Sequence, residues 1–255
     1  PQMGVTAVIA FELKRRFGKP IILGGMCGDF PRGYLLRAGA RCVDIATVAN
    51  TPNAIRAAFS ALRALPDGRS EPPVDIRLDG SDLHLDDWPV PDFSIFRLDD
   101  YRRDPYLTDS ARYPGYDGAG PRQLVLGYNF VFNCLYACSF CTVARTEQVS
   151  RSPEKVVRDL AAMAERFDTL DFAFMDTQCN LEAPALSKAL IDARLGVRWS
   201  DSYRCAPSSP GIIEQLARSG CVGLTVGVES ASDKVLKRMV KGYSSKDATR
   251  VVREI

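Results

Sequence analysis

The sequence predicts an α/β fold: a partial (β/α) barrel over residues 122–255, preceded by a smaller parallel α/β unit at 1–66 and a connector at 67–121. Three observations predict it. Short apolar runs alternate with amphipathic stretches of helical period in both outer segments, the pattern of parallel strands covered by helices. After Arg122 the strand-then-helix unit repeats four times. Polar residues gather where those strands end, which is the end at which β/α barrels carry their chemistry. A doubly wound sheet built from the same repeat is the alternative architecture.

Residues 4–17, GVTAVIAFELKRRF, read as a helix with Val8, Phe11 and Leu13 on or near one face and Lys14, Arg15 and Arg16 toward solvent. KPIILGG is a short buried strand, PRGYLLRAG a second short helix ending at Gly39, and CVDIATV another buried strand. TPNAIRAAFSALRAL is a helix that Thr51 is able to cap, with Pro52 in its first turn, where a missing N–H costs nothing. Only two strands are legible in this unit, too few to stand alone comfortably. From Pro66 to Pro121 the chain is rich in Pro, Gly and Asp and carries little periodicity, which reads as a connector with local turns. Trp88, Val90, Phe93 and Phe96 give it apolar anchors, so it is expected to be a strap packed against a neighbour.

In the barrel segment QLVLGYNF is the first strand, and a helix runs from Ser152 and Pro153 to about Arg166. LDFAFMD is the second strand, followed by a helix near 182–194, and VRWSDSYR is the third. SPGIIEQLARSG is a helix with Ser209 and Pro210 at its start and Gly220 just past its end. VGLTVGVE is the fourth strand. SDKVLKRM follows as a helix that Ser232 would cap, with Val235, Leu236 and Met239 packed inward, and a last helix begins near Ser245.

With 46% hydrophobic and 25% charged residues over 255 positions, a folded chain is expected. Thirty-three basic against 31 acidic residues leave a charge of +2 with no block of one sign, so neither a nucleic-acid nor a membrane partner is implied. The longest apolar runs fall far short of the roughly 20 residues that cross a bilayer, and no export signal is present, so a cytoplasmic location is expected. Eight cysteines without even spacing in a chain of this size read as reduced thiols, because disulfide scaffolds are mostly small and secreted.

Three of those cysteines, Cys134, Cys138 and Cys141, fall within NCLYACSFC, directly after the first barrel strand. Soft thiolates at separations of four and three can wrap one small inorganic core, either zinc or iron–sulfur. A closed structural zinc site needs four ligands, and the single histidine, His84, lies about 50 residues away. A 4Fe-4S cubane held by three thiolates leaves one iron open to a substrate or cofactor, which makes the odd ligand count useful. Buried small side chains, or a zinc site with a distant fourth ligand, are the plainer readings.

Cys134, three residues, Cys138, two residues, Cys141, with Phe140 before the last cysteine, resembles the signature of the radical S-adenosylmethionine (radical SAM) enzymes. The resemblance implies that these cysteines bind three irons of a 4Fe-4S cluster. It also implies that the amino and carboxylate groups of S-adenosylmethionine bind the fourth, with Phe140 near the adenine. In that family an electron from the cluster splits the sulfonium, and the resulting 5'-deoxyadenosyl radical abstracts hydrogen from substrate. The protein holds the sulfonium in place and keeps the radical from water.

The other strand ends supply candidate contacts to S-adenosylmethionine. Where the family often has a Gly-Gly-Glu segment, this chain has MDTQCN, similar to the acidic-polar variant of relatives with a cobalamin-binding domain. This points to Asp176 and Gln178, with Thr177 between them. A helix-capping turn led by Asn180 is the plain alternative. Arg204 at the third strand end is placed to pair with the ligand carboxylate, or to make a surface salt bridge. In GVES, Glu229 and Ser230 are placed for the ribose hydroxyls, and residues 220–244 closely resemble radical SAM enzymes fused to cobalamin-binding domains and methylthiolating relatives. Cys179 and Cys205 lie at strand ends, as small buried side chains or substrate-side thiols, and Cys27, Cys42 and Cys221 carry no cluster spacing.

Residues 17–48 resemble the second half of the Rossmann-like cobalamin-binding domain of these enzymes. Gly24 and Gly25 after a buried strand would let the backbone approach a bulky ligand, as they would serve any tight βα turn. Where relatives usually show Gly-Glu, this chain has VANTP, which leaves Asn50 as a candidate cobalamin contact. The Asp-His-Gly type motif is not in this chain, so no lower axial histidine is named. WPVPDFSIFRLDDY is similar to the junction upstream of the cluster motif in the same subgroup.

The resemblance therefore implies a cobalamin-dependent radical SAM methyltransferase acting on an unactivated carbon of a small-molecule or peptide natural product. The implied cofactors are a 4Fe-4S cluster, S-adenosylmethionine and cobalamin, and the implied partner is a one-electron reductant such as flavodoxin or ferredoxin. Cyclisation, ring contraction or rearrangement by a radical SAM enzyme with the same domain is the alternative. Four strand–helix units are legible where the family barrel usually has six, so the chain is expected to be a segment of a longer enzyme or one completed by another subunit.

Overall fold

A computed structural model describes residues 2–23, 43–47, 52–65, 74–76, 84–103, 124–141, 143–206 and 209–255. The chain divides into two compact units, Pro1–His84 and Leu85–Ile255.

The first unit contains helix α1 (Gln2–Phe17), strands β1 (Ile22–Leu23) and β2 (Ile45–Thr47), helix α2 (Pro52–Ala64) and strand β3 (Val74–Ile76). The strands are parallel in the order β1-β2-β3. β3 lies in the stretch expected to be a connector; three residues behind a Pro-Pro pair offer no period to detect. Helix α1 turns a different face inward from the expected one. Val8, Phe11 and Leu13 are exposed, Ala10 is buried, and Lys14 reaches the buried Asp44 at 2.5 Å. The Ile21 amide donates to the same carboxylate at 2.8 Å. A buried carboxylate beside β2 needs a cation, and that demand decides which way Lys14 points. The helix expected at 31–39, the Thr51 cap, Gly24, Gly25, Asn50, Cys27 and Cys42 lie outside the described residues.

The second unit opens with a 3-10 turn at Leu85–Asp87 and helix α3 (Leu98–Arg103). Trp88 meets Phe132 edge-on with ring centroids 5.2 Å apart, and Phe93 meets Phe167 at 6.0 Å, while Val90 and Phe96 stay exposed. Strand β4 (Val125–Tyr128) follows, then the short strands β5 (Val131–Phe132) and β6 (Val149–Ser150), and helix α4 (Pro153–Phe167). Next come β7 (Asp171–Phe174), α5 (Ala183–Ala193), β8 (Arg198–Arg204) and α6 (Ile212–Arg218). β9 (Cys221–Gly227), α7 (Asp233–Arg238) and α8 (Ser245–Glu254) complete it. The four longer strands are parallel in the order β4-β7-β8-β9.

Helix α4 shows how the sequence builds this layer. Ser152 accepts a hydrogen bond from the Lys155 amide at 3.2 Å, Pro153 occupies the first turn, and Val156, Leu160 and Met163 recur on one face, fully buried. They pack in one core with Leu126, Tyr128, Phe172 and Trp199 from the sheet. Asp159 on the same helix is buried because Tyr128 Oη at 2.7 Å, Arg151 at 3.1 Å and Lys155 at 2.5 Å all donate to it. The Arg151 guanidinium lies over the rings of Trp88 and Tyr128, which ties the strap to β4 and α4.

Local signals shift slightly at the later helices. α6 starts at Ile212 behind a left-handed Gly211, because Ser209 and Pro210 form a turn closed by the Ile212 amide on Ser209 O. Gly220 has φ +94, and a Cβ there would stand 2.0 Å from Val197 O, so only glycine makes this turn into β9. Ser232 occupies the N-cap position of α7 without a side-chain cap bond, and of the three residues expected inward only Leu236 is buried, Val235 being exposed. Among the described residues no helix is long and apolar enough to cross a membrane.

Candidate active site

Strands β5 and β6 pair antiparallel, Val131 with Ser150 and Phe132 with Val149, and close the base of the loop that carries the three cysteines. Asn133 enters the loop at φ 67, a left-handed conformation that asparagine tolerates, and its amide donates to Glu147 O at 3.0 Å. The Cys134 amide donates to Thr146 Oγ1 at 2.9 Å, and the Thr146 amide donates back to Cys134 O at 3.0 Å. Two further bonds, Cys141 N to Cys138 O and Arg145 N to Tyr136 O, set the positions from which the thiols project. Cys138 is buried, Cys134 and Cys141 are half-buried, and all three are unbridged.

Among the described residues no three His, Cys, Asp or Glu side chains converge on a single metal ion. A cubane does not ask them to, because each thiolate binds a different iron. The loop is also held from other elements. The Ser139 amide donates to Met239 O at 3.0 Å, and Thr177 Oγ1 donates to Asn133 O at 2.5 Å.

Two buried cations stand beside it. Arg204, the last residue of β8, is 7% exposed; its Nη1 donates to Cys138 Sγ at 3.6 Å, and its guanidinium lies 3.9 Å from the Tyr136 ring centroid and 5.0 Å from that of Tyr243. Its Nε is buried with no partner among the described residues. Lys241, 6% exposed, sits 3.1 Å from Glu229 Oε1 and 5.5 Å from the ring centroids of Phe140 and Tyr243. Gly227 leaves room for that carboxylate, since a Cβ there would meet Glu229 Oε1 at 2.9 Å. One carboxylate facing two buried cations leaves a positive excess, which is costly unless an anion joins it. A cluster bearing three thiolates and a carboxylate-bearing ligand would supply anions there, and the unpartnered guanidinium N–H is a donor for one. The donor set therefore fits both groups.

The structure gathers Phe140, Arg204 and Glu229 around the cysteine loop. Phe140 is 54% exposed beneath the Lys241 ammonium, and Ser230 accepts from the Ser232 amide at 3.1 Å. Asp176 and Gln178 are buried and contact the loop's two flanks. Asp176 Oδ1 accepts from the Phe130 amide at 2.9 Å, just before the loop. Gln178 Nε2 donates to Gln148 Oε1 at 2.6 Å, at its end, and Gln178 Oε1 accepts from the Asn180 amide. Cys179 and Cys205 are fully buried.

Three contributing residues went unrecognised in the sequence. Asn180 does not cap α5, whose N-cap is Glu182; its Oδ1 accepts from the Arg204 amide at 2.7 Å and its Nδ2 donates to Arg204 O at 3.0 Å. It thus mimics a neighbouring peptide and fixes Arg204. Lys241 reaches the site only because Val240 and Gly242 turn the chain through left-handed conformations. Asp201, in mid-strand, places its carboxyl beside that of Asp176 and accepts from the Ser202 amide at 2.7 Å. Each carboxyl of this pair keeps one oxygen without a donor among the described residues, which a shared proton would satisfy. Burial first, and then the neighbouring carboxyl, push Asp176 well above the usual carboxylate range; burial pushes Asp201 up to about 6. Burial likewise pushes the adjacent Cys179 thiol up, with Asp201 adding to it.

The sequence profile of the radical SAM superfamily matches residues 128–255. Bacteriochlorophyllide d C-12(1)-methyltransferase of Chlorobaculum tepidum is 32% identical over 117 residues, covering 43% of this chain and 25% of that protein. The radical SAM methyltransferase TsrM of Kitasatospora setae, solved with cobalamin and a [4Fe-4S] cluster bound, matches 100% of this chain and 52% of its own at a TM-score of 0.62 and 18% identity. The cobalamin-dependent S-adenosylmethionine radical enzyme OxsB, solved with aqua-cobalamin, matches 99% of this chain and 37% of its own at 0.63 and 15%. The two structural likenesses are likenesses of fold, and the chain spans about half the length of these relatives or less.

Proposed function

The chain belongs to the radical SAM superfamily, and we propose that it is the cluster-bearing part of a cobalamin-dependent methyltransferase. Cys134, Cys138 and Cys141 would hold the cluster, which with S-adenosylmethionine supplies hydrogen-atom abstraction from an unactivated carbon. Arg204 Nε and the Lys241 ammonium would receive the carboxylate of S-adenosylmethionine, Glu229 and Ser230 its ribose hydroxyls, and the exposed Phe140 ring its adenine. Asp176 and Gln178 would serve the same ligand through the loop flanks they brace. A flavodoxin- or ferredoxin-like protein would deliver the electron, and the substrate would be a small molecule or peptide.

Cobalamin is supported by the likeness to TsrM and OxsB and by where the candidate residues fall in the sequence. In sequence, Gly24 and Gly25 come directly after Leu23, the last residue of β1, and Asn50 comes three residues after Thr47, the last of β2. Open α/β sheets bind ligands outside the carboxyl ends of their strands. The 32% identity to a C-methyltransferase favours methyl transfer over rearrangement.

The observation that carries the reading is the buried guanidinium on a thiol of the cysteine loop, where two buried cations stand beside one carboxylate. Anaerobic reconstitution with iron and sulfide tests it, with spectra taken before and after hydroxocobalamin and products separated by mass. The expected results are cluster absorption, a cobalamin spectrum, 5'-deoxyadenosine and a substrate gaining one methylene. A cluster-free protein, or one that never cleaves S-adenosylmethionine, contradicts it.

A further inference from the structure

We propose that Arg204 sets the reduction potential of the cluster by donating to Cys138, with Asn180, Tyr136 and Tyr243 as the residues that position it. The proposal rests on the assignment of the cluster to the three cysteines.

Arg204 already spends Nη1 on Cys138 Sγ, at 3.6 Å, before any ligand is present. It cannot swing away readily. Tyr136 and Tyr243 stack on its guanidinium, the Asn180 amide clasps its backbone on both sides, and a Cβ at Gly242 would stand 3.4 Å from its Nη2. Gly242 turns the chain beside the guanidinium at φ +70.

Reduction adds one electron to the cluster, taken from an external low-potential donor, and with it one negative charge. A cation donating to a ligand sulfur stabilises that added charge, and in a buried site water does little to screen it. The bond therefore favours the reduced form and raises the potential, which is how hydrogen bonds to cluster sulfurs act in general. Lys241 is the internal comparison. It is equally buried, but its charge is offset by Glu229 at 3.1 Å, and among the described residues no bond joins it to a cysteine.

The test is a dithionite titration of the reconstituted protein without S-adenosylmethionine, followed by electron paramagnetic resonance. Omitting the ligand separates this role from carboxylate binding. Arg204→Met should shift the midpoint to more negative potential at unchanged iron content, Arg204→Lys should fall between it and wild type, and Lys241→Met should shift it less than Arg204→Met. An Arg204→Met protein with full iron content and the wild-type midpoint overturns the proposal. If Arg204→Met does not hold its cluster, Asn180→Ala decides: it keeps the guanidinium but loosens its seat, and the midpoint should move the same way by less. An unshifted Asn180→Ala midpoint then overturns it. A wild-type protein that takes up no cluster would instead sink the assignment beneath it.

Discussion

Replacing Asp176 with asparagine should remove a pH-dependent weakness of the fold. Asp176 is 6% exposed, accepts from the Phe130 amide and lies beside the carboxyl of Asp201. Burial and the second carboxyl hold its pKa well above the ordinary value, whereas in the unfolded chain it titrates near ~3.9. The folded state thus binds the proton more tightly. The stability this contributes is complete below about pH 4 and is lost progressively as pH rises toward the folded pKa. Each pH unit between those two values removes about 1.4 kcal/mol, so stability falls steadily with rising pH for as long as the folded state keeps the proton. Asp201, raised to about 6, loses its own contribution between about pH 4 and 6. In Asp176→Asn the amide oxygen still accepts from Phe130 N and the amide nitrogen donates to Asp201, with no proton left to lose. Urea unfolding of the cluster-free chain, followed by the fluorescence of Trp199, suits the question, since Trp199 is fully buried and stacked on Phe174 at 5.2 Å. The stability difference between variant and wild type should grow in the variant's favour as pH rises above about 4, by about 1.4 kcal/mol per pH unit while the wild-type fold keeps the proton. Parallel pH profiles would refute the shared proton.

Other substitutions probe separate parts of the argument. Asp159→Ala strands the buried Arg151 and Lys155 without their carboxylate and should cost about 3–5 kcal/mol in urea unfolding. Gly220→Ala forces a Cβ onto Val197 O at φ +94 and should cost at least about 2 kcal/mol, read as a melting temperature lower by on the order of 5 °C. Cys134→Ala should lose iron on anaerobic reconstitution, whereas Cys179→Ser, in the buried wall behind the loop, should retain it. Glu229→Gln should weaken S-adenosylmethionine binding by on the order of tenfold in equilibrium dialysis, the size of one hydrogen bond to a charged group.

Periodicity and end signals made the barrel segment legible because they are local. The Ser152-Pro153 start, the left-handed Gly220 and the four strand runs each depend on neighbours within a few residues. The cysteine loop was legible for the same reason. What stayed hidden depends on partners far along the chain. Lys14 points inward because Asp44, 30 residues on, is buried, and no helical period contains that fact. β3, β5 and β6 are two or three residues long and exist as strands only through their pairing. Asp201 gains its meaning from Asp176, 25 residues earlier in the sequence, whose carboxyl lies beside it. Asn180 looked like a cap and proved to be a clasp for Arg204, 24 residues later.

Mössbauer spectroscopy of the protein reconstituted with the active iron isotope addresses the central claim, that three cysteines grip a cubane and leave one iron for S-adenosylmethionine. One iron in four should show distinct parameters that move when S-adenosylmethionine is added. Four irons that respond identically, or not at all, would contradict it.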